Sequence, residues 1–525
     1  MAVDHITARA HDHSNDGSTP GGGGEADRLG PDVWKITAVT VAGAFMAQLS
    51  TTMVNVSLSS LGTELHASLS AIQWVTSGYL LALALMLPLT GWLVDRIGAK
   101  ALYLRCFVAF TLSSTLCGVA WSANSLIAFR VLQGMSGGLL APMVQMMMAR
   151  AAGKHMARVI GYAAVPIMLG PLLGPVIAGA ILQFASWRWL FLINLPVGVL
   201  VIVLAIFFLP NDREETQRRD LDLVGFALLS PGLVLFLYGS DHMGERIGQV
   251  TLALSVVLLA MFFKVAIRKG DRALIDLQLF KGKTFAAATV AQFMSNGILF
   301  AGQMLIPIYL IRACGRSPSA TGWLLAPLGV GMICSYPWMG ALTQRFGIRK
   351  LSAAGAFLAL AGTLPLVWLA SQGLSVAVLA CALFLRGVGL SAVGIPSISA
   401  AYASVKKRDL PMATTSLNIV QRLGGPTMTT LCATFLGWRL SAAPSPAVTS
   451  DAFAEAFGLL CFLHVLLFLA TLRLPWLVPD AAEMLLTSSA VEADGPFTRS
   501  AREASPLISA MAARSSTRSR WPLTK

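Results

Sequence analysis

The sequence predicts an all-α integral membrane protein with fourteen transmembrane helices and both termini in the cytoplasm. Hydrophobic residues make up 55% of the chain and charged residues only 12%, and the mean hydropathy is +0.69. A water-soluble protein of this composition would expose more apolar surface than it could bury. A loop pattern also occurs twice, as Gly91 to Lys100 and as Gly340 to Lys350, each time between two long apolar segments. Two copies that start 249 residues apart indicate a membrane protein built from duplicated halves.

Each transmembrane helix needs about 20 apolar residues, and fourteen segments meet this requirement. Their approximate bounds are 34–59, 72–94, 101–119, 125–149, 158–183, 190–209, 222–238, 250–267, 285–311, 319–343, 351–370, 374–401, 413–436 and 453–474. With the N-terminus inside, the inner loops hold 21 Lys and Arg residues and the outer loops hold 5. Cytoplasmic loops collect Lys and Arg, so this bias supports both the helix count and the topology.

The segments outside the spans predict no soluble domain. The net charge of +14 follows from the topology and an anionic inner leaflet, so no nucleic-acid partner is expected. Residues 1–33 lack the apolar core of a signal peptide and are expected to be a disordered cytoplasmic segment. Residues 476–525 are expected to be a disordered basic cytoplasmic tail. The 7 cysteines have no metal-ligand or redox spacing, so neither a metal nor a cofactor is predicted.

Four motifs carry a family resemblance. They are Gly91 to Lys100, with Ala99 where a basic residue is usual; Arg130 to Gly134; Gly170 to Gly179, with Ala178 in place of a glycine; and Trp187 to Pro196. In this order the motifs resemble the major facilitator superfamily, and within it the fourteen-helix drug:proton antiporters of the EmrB/QacA type. The resemblance covers 34–475. It implies the major facilitator fold, with an N-terminal six-helix bundle in 34–209, a linker with two extra transmembrane helices in 210–284, and a C-terminal six-helix bundle in 285–475.

The repeated loop and helix 5 are candidate gating elements. Gly91 permits close helix contact, Asp95 can face the positive end of another helix, and Arg96 and Lys100 are expected to meet lipid phosphate. This group would either latch one cytoplasmic face closed or only anchor the topology. Helix 5 is rich in proline and glycine, which predicts a kink that either serves as a pivot or is purely structural. The predicted gating residues are Gly91, Asp95, Arg96, Gly98, Lys100, Gly170, Gly174, Pro175, Gly179, Gly340, Arg345 and Gly347.

The predicted membrane interior contains arginine but no mid-span carboxylate. An intramembrane charge costs a few kcal/mol unless it is paired or hydrated, so Arg386 should face a cavity. The resemblance implies that helices 1, 4, 9 and 12 line that cavity. The candidate substrate-binding residues are Gln48, Ser50, Asn55, Arg130, Gln133, Gln292, Asn296, Gln303, Arg386, Asn418 and Arg422. For each neutral amide, an interhelical hydrogen bond explains the residue at least as well.

The coupling site departs from the family pattern. Ser50 stands where the drug:proton relatives usually carry aspartate, and a serine exchanges no proton near neutral pH. Coupling could use His464 instead, although a histidine that only packs between helices explains this residue as well. An interior with guanidinium groups and no fixed anion favours neutral or anionic amphipathic substrates over cations.

These features predict a secondary transporter of the bacterial inner membrane rather than an enzyme. We expect it to export amphipathic drugs or metabolites by alternating access, with the lipid bilayer, the small-molecule substrate and a periplasmic adaptor protein as partners. The sequence has no Gly-x4-Gly-Lys-Ser/Thr loop, which disfavours ATP as the direct driver. Uptake or uniport of an organic anion is the alternative within transport. A non-transporting sensor or scaffold that kept the fold is the alternative outside it.

Overall fold

The computed structural model describes residues 30–211, 220–441 and 446–476, and all regular structure in these ranges is helical. The α-helices are α1 Pro31–Glu64, α2 Leu69–Met86, α3 Thr90–Ile97, α4 Ala99–Gly118, α5 Ala123–Ala152, α6 Met156–Phe184, α7 Trp189–Leu192, α8 Asn194–Phe208, α9 Leu223–Asp241, α10 Arg246–Lys269, α11 Lys283–Ile308, α12 Pro318–Phe346, α13 Ile348–Gln372, α14 Val376–Ala403, α15 Leu410–Ser441 and α16 Pro446–Thr471. A 3₁₀ turn joins α2 to α3, a single residue separates α7 from α8, and a π-helical turn extends α11 to Ala313. The predicted disordered tails lie outside the described residues, apart from 30–33 and Trp476.

The predicted all-helical membrane fold is confirmed. Among the described residues, 13 helical segments are long and apolar enough to cross a bilayer. The fourteenth, α15, has 32 residues but carries Asn418, Gln421 and Arg422 near its middle, which lowers its hydropathy. Residues 410–419 of α15 are all buried, so neighbouring helices rather than lipid surround this half of the helix.

The two copies of the repeated loop have the same backbone geometry. Gly98 links α3 to α4 with φ +83°, and Gly347 links α12 to α13 with φ +79°. Residues with a side chain rarely adopt this left-handed conformation, which accounts for a glycine at both positions. The repeat in the sequence therefore corresponds to a repeated turn in the structure.

The helices form two groups with equivalent internal packing. In the first group, α1–α8, the helix α2 packs on α5 and α1 packs on α6. In the second group, α11–α16, α12 packs on α14 and α11 packs on α15 in the corresponding way. Small residues permit the close approach: a Cβ at Gly134 of α5 would lie 2.3 Å from the Tyr79 carbonyl oxygen, and one at Gly387 of α14 would lie 2.2 Å from that of Leu328.

Helices α9 and α10 form a hairpin that packs against α2 of the first group and α15 of the second. Asp222, just before α9, fixes the base of this hairpin. Its side chain, only 2% exposed, accepts hydrogen bonds from Lys269 Nζ at 2.6 Å and from the backbone amides of Gly225 at 2.8 Å and Leu274 at 3.1 Å. Burial by itself would raise the pKa of this carboxyl, but the hydrogen bonds and the Lys269 charge outweigh it, so the pKa is lowered.

The two groups meet at the end of the molecule that carries the Lys- and Arg-rich loops, which we call the inner side. A Cβ at Gly91 of α3 would lie 3.2 Å from the Pro411 carbonyl oxygen in the first turn of α15. A Cβ at Gly340 of α12 would lie 2.4 Å from the Arg158 Cα in the first turn of α6. The glycine that opens each loop copy therefore contacts the start of a helix in the other group, and the inner side is closed.

Candidate functional site

A cavity of about 640 Å³ lies between α2, α9, α11 and α15, where the two groups and the hairpin meet. Its lining residues are Ser77, Leu80, Leu81, Leu237, Tyr238, Ser240, Asp241, His242, Asn296, Phe300, Asn418, Gln421, Arg422, Gly425, Pro426, Thr429 and Thr430. The cavity extends from the middle of α15 toward the outer ends of α9 and α15. Ligand pockets in proteins commonly measure about 300–1,000 Å³, so this one can hold a drug-sized molecule.

Arg422 supplies the guanidinium of the cavity. It lies on α15 about 18 Å from the inner end of that helix, at 1.5 Å of rise per residue. The side chain is half-buried, and its Nε has no hydrogen-bond partner among the described residues. No carboxylate of the described residues forms an ion pair with it. Arg422 therefore presents an uncompensated positive charge near the middle of the membrane.

Two amide networks hold the polar residues of the cavity in place. Gln421 Nε2 donates to Gln292 Oε1 at 2.7 Å, and Gln292 Nε2 in turn donates to Ser397 Oγ at 2.6 Å. Asn418 Nδ2 donates to Gln145 Oε1 of α5 at 2.9 Å. The bond between Asn418 and Gln145 joins the two helical groups and closes the cavity at its inner end.

Aromatic rings stand at the outer end of the cavity. Tyr238 of α9 stacks with Trp74 of α2 at 6.3 Å between ring centroids and with His242 at 4.3 Å. The Thr430 hydroxyl of α15 donates to the Ser240 carbonyl oxygen at 3.4 Å. The inserted hairpin thus forms one wall of the cavity and contacts both helical groups.

Three of the predicted substrate-binding residues, Asn296, Asn418 and Arg422, line this cavity together. Gln292 lies directly behind them and holds Gln421. The cavity is bounded by α2, α9, α11 and α15, whereas the expected helices correspond to α1, α5, α11 and α14. The difference arises because the buried polar side chains of α5 and α14 bond mainly within their own groups.

Arg130 and Gln133 lie inside the first group and do not line the cavity. Arg130 is fully buried; its Nε donates to the Val75 carbonyl oxygen at 3.2 Å and its Nη1 to Gln133 Oε1 at 2.7 Å. The guanidinium carbon also lies 4.1 Å from the centroid of the Tyr79 ring. The aromatic face and the carbonyl stabilise this cation without a carboxylate.

Arg386 lies inside the second group, so the expectation that it faces a cavity is not met. It is fully buried, its Nη2 donates to the Ile298 carbonyl oxygen at 2.8 Å, and its guanidinium lies against Gly302 of α11. Within the part of the chain that the structure describes, its Nε and Nη1 have no hydrogen-bond partner. His464 is also fully buried, and its Nδ1 bonds the Leu460 carbonyl oxygen at 2.8 Å, as in a histidine that packs between helices.

Ser50 is buried between helices of the first group. Asn194 Nδ2 donates to the Ser50 hydroxyl at 3.4 Å and to that of Ser114 at 3.0 Å. Ser50 is 0% exposed and does not line the cavity. Gln48, Asn55 and Gln303 are exposed and lie outside the cavity, and Asn55 Oδ1 accepts a hydrogen bond from Thr76 at 3.0 Å.

The predicted gating residues fall into separate places. Gly91 and Gly340 lie at the boundary between the groups, whereas Gly98 and Gly347 form the turns described above. A Cβ at Gly170 would lie 3.0 Å from Gln48 Cβ of α1, and one at Gly174 would lie 2.1 Å from Thr52 Oγ1 of the same helix, so this packing stays within the first group. Pro175 and Gly179 are exposed, and nothing lies within 4 Å of a Cβ at Gly179.

The charged residues of the loop copies contact protein. Lys100 Nζ donates to the carbonyl oxygens of Ile206 at 2.8 Å and Leu209 at 2.7 Å, where it caps the end of α8. Lys100 is thus held by the protein, although we expected it to meet lipid phosphate. Arg96 and Arg345 are exposed and lie 5.4 Å and 5.5 Å from the rings of Trp92 and Phe346. Asp95 is half-buried in the last turn of α3.

The sequence predicts two extra transmembrane helices in the linker 210–284 but does not place either of them at the cavity, so it does not indicate the contribution of α9. On α15, however, polar side chains recur at Asn418, Arg422 and Thr429, which share one helical face, with Gln421 and Thr430 on either side of it. This periodicity was the signal for a polar wall. Tyr238 and His242, four residues apart near the end of α9, mark the facing wall.

Comparisons with known proteins agree with this architecture. Residues 40–429 match the Major Facilitator Superfamily. The chain is 32% identical over 423 residues to the multidrug resistance protein B homolog of Mycobacterium tuberculosis (strain H37Rv), covering 79% of this chain and 78% of that protein. It is 33% identical over 331 residues to the putative multidrug resistance protein MdtD of Escherichia coli O157:H7, covering 61% and 69%.

Solved structures show the same fold at low sequence identity. The human organic anion transporter MFSD10 superposes with a TM-score of 0.57 at 16% identity, over 83% of this chain and 100% of that one. The proton:xylose symporter XylE superposes with a TM-score of 0.56 at 14% identity, over 83% and 95%. The chain is therefore a multi-pass membrane transporter, not an enzyme, and it belongs to the Major Facilitator Superfamily.

Proposed function

We propose that this chain exports amphipathic, drug-like compounds across the bacterial inner membrane as a secondary transporter. The observation that carries the proposal is the cavity of about 640 Å³ at the boundary of the two helical groups. Apolar side chains such as Leu80 and Phe300 and polar ones such as Asn296 and Arg422 line it together, which suits an amphipathic ligand. Relatives named as multidrug resistance proteins support the same substrate class.

Transport would proceed by alternating access between the bundles 34–209 and 285–475, with 210–284 as the inserted linker. The packing of α2 on α5 and of α12 on α14 supports two units that move as rigid bodies. The contacts of Gly91 with α15 and of Gly340 with α6 close the inner side. Their separation would open the cavity to the cytoplasm, where an exporter must load its substrate.

The first loop copy is proposed as a latch for the closed inner side. Gly91 lies against the first turn of α15, and Asp95 follows one turn later on α3. An anion near the amino end of α15 would interact favourably with the helix dipole. Gln344 occupies the corresponding position in the second copy and contacts His155, just before α6, at 3.3 Å, so the α12–α6 contact would combine close packing with a polar contact that lacks a carboxylate.

Membership of the fourteen-helix EmrB/QacA branch is supported by the thirteen membrane-capable helices, with α15 as the fourteenth helix, and by the Trp187 to Pro196 motif. In that branch helix 1 usually carries an aspartate for proton coupling. Here the neutral pair Ser50 and Asn194 occupies the position. We propose that any proton coupling uses a group other than a helix 1 carboxylate. A periplasmic adaptor protein would receive the substrate on the outer side, which co-purification from cross-linked cells tests.

The test uses everted membrane vesicles with and without the protein, and dansylated probes of negative, zero and positive charge. We expect saturable uptake of at least one probe that depends on an ion gradient and on the protein. Collapse of an imposed pH gradient by the transported probe would indicate proton antiport. Uptake without such collapse would indicate uniport or another coupling ion. No uptake of any probe by correctly folded protein would contradict the proposal and favour a sensor or scaffold.

A further inference from the structure

The cavity contains two strongly charged groups of opposite sign that lie far apart. Asp241 is the last residue of α9, and its side chain is 78% exposed beside His242, at 3.8 Å from the His242 Nδ1. Ser240, next to it, is bonded to Thr430 of α15. Thr430 lies eight residues beyond Arg422, which corresponds to about 12 Å along the helix. The Asp241 carboxylate is therefore too far from Arg422 to form an ion pair with it, and the charge of Arg422 stays uncompensated.

Arg422 differs from the other guanidinium groups inside the membrane. Arg130 and Arg386 are 0% exposed, and each donates a hydrogen bond to a backbone carbonyl oxygen. Arg422 is partly exposed to the cavity and makes no hydrogen bond to the described residues. The Nε atom is buried, but the four N–H donors of Nη1 and Nη2 are available to a molecule in the cavity.

The surroundings of Arg422 also suggest the orientation of a ligand. The neutral amides of Asn296, Asn418 and Gln421 line the same part of the cavity. The walls formed by α2 and α9 are apolar and aromatic, with Leu81, Leu237 and Tyr238. A ligand with an acidic head beside Arg422 and an apolar body against α2 and α9 would match both regions, whereas a cationic head would be repelled.

We propose that Arg422 selects the substrate by charge and binds the carboxylate or sulfonate group of an anionic amphipath. This inference rests on the proposed transport function and adds the substrate class. A planar guanidinium can form two parallel charge-assisted hydrogen bonds to such a group, which supplies both affinity and orientation. The wall formed by α9 then makes the inserted hairpin part of the binding site for the apolar body.

The experiment compares dansylglycine with dansylglycinamide, which differ in the presence of the carboxylate but hardly in size. Binding to purified protein in nanodiscs is measured by dansyl fluorescence, and transport is measured in proteoliposomes. We expect the wild-type protein to bind the acid at least about tenfold more tightly than the amide. Arg422→Gln should reduce this ratio to near one. Arg439→Gln is the matched control, because this guanidinium lies on the same helix outside the cavity and pairs with Glu455.

The outcomes separate the inference from the proposed function. A preference for the acid that is lost in Arg422→Gln and kept in Arg439→Gln supports the inference. Equal affinity of the wild-type protein for both probes, or a preference that survives in Arg422→Gln, overturns it, while transport of either probe still supports the transport function. Transport of neither probe by the wild-type protein contradicts both. If Arg422→Gln does not fold, Arg422→Met provides a second uncharged side chain of similar length and gives the same comparison.

Discussion

The Tyr402 hydroxyl of α14 donates a hydrogen bond to Gln145 Oε1 of α5, across the boundary between the two helical groups. Asn418 of α15 donates to the same oxygen at 2.9 Å. One amide oxygen of the first group is therefore held by two helices of the second, on the inner side of the cavity. Because α5 belongs to one group and α14 and α15 to the other, both bonds have to break when the inner side opens.

Removal of the Tyr402 hydroxyl should favour opening of the inner side. Tyr402→Phe removes one hydrogen bond, typically worth about 0.5–1.5 kcal/mol, from the inner-closed state only. Distances between spin labels at Arg96→Cys and Arg408→Cys report on the inner ends of α3 and α15. We expect a larger fraction of long distances in Tyr402→Phe and no change in Tyr162→Phe, whose tyrosine lies on α6 away from this network. An unchanged distribution in Tyr402→Phe would mean that the bond does not hold the inner side closed.

A methyl group at Gly340 should disrupt the contact between α12 and α6. A Cβ there would lie 2.4 Å from the Arg158 Cα, a backbone atom that cannot move without moving α6. We expect Gly340→Ala to destabilise the inner-closed state by about 1–3 kcal/mol, as overpacked cores do. Transport of the dansyl probe should fall accordingly. Gly329→Ala on the same helix meets open space and serves as the control; equal rates for the two variants would contradict a role for this contact.

Loss of the Asp222 charge should loosen the inserted hairpin in a pH-dependent manner. The hydrogen bonds that lower the pKa of Asp222 stabilise the ionised form in the folded protein. This stabilisation is present at pH 7 and is lost as the pH falls below about 4, the usual value for an unfolded aspartate, through the lower folded value. Asp222→Asn should therefore lower the Tm most at pH 7. The substitution removes hydrogen bonds to a charged group, and each such bond typically contributes about 1.5–3 kcal/mol to the free energy of unfolding.

The control for this prediction is Asp276→Asn, since the half-buried Asp276 accepts, among the described residues, only the Gln278 backbone amide at 2.8 Å. Thermal unfolding of both variants and the wild-type protein in detergent at several pH values gives the comparison. A Tm difference for Asp222→Asn that stays constant from pH 7 to the acidic end of the range would contradict the assigned role of the carboxylate.

Replacement of Ser50 by alanine should leave transport nearly intact. Ser50 is neutral, fully buried and joined to Asn194 by a long hydrogen bond of 3.4 Å. Its loss should cost no more than about 1 kcal/mol of stability. We expect Ser50→Ala to transport the dansyl probe with the same pH dependence as the wild-type protein. A changed pH dependence would mean that this position takes part in coupling after all.

Thirteen of the fourteen expected spans are apolar enough in the described residues to cross a bilayer, and they were predictable because lipid is a uniform solvent that requires about 20 apolar residues for each crossing. The glycine of the repeated loop predicted close helix contact at Gly91, but the sequence did not indicate that Gly91 and Gly340 each contact a helix of the other group. The sequence did not reveal which way the arginines point. Arg386 and Gln133 occupy equivalent positions, as the packing of Gly387 and Gly134 shows, whereas Arg130 lies one turn away and faces α2.

Burial of arginine without a carboxylate was the main physical effect that sequence reasoning misjudged. We expected a deep guanidinium to require a cavity, but a carbonyl oxygen and the Tyr79 ring stabilise Arg130 in a closed interior. Only Arg422, which lacks such partners, lies in the cavity. The contacts of α9 with α2 and α15 depend on tertiary packing. The sequence of 210–284 predicts two transmembrane helices there but does not indicate which helices they contact.

The most direct test of alternating access uses the inner contact between His155 and Gln344, whose side-chain nitrogens lie 3.3 Å apart on opposite helical groups. A cysteine pair, His155→Cys with Gln344→Cys in a background without the natural cysteines, can be oxidised to lock the inner side. We predict saturable transport of dansylglycine by the reduced protein, its loss on oxidation and its recovery on reduction, with no such effect in either single variant. Undiminished transport by the oxidised pair would contradict the account.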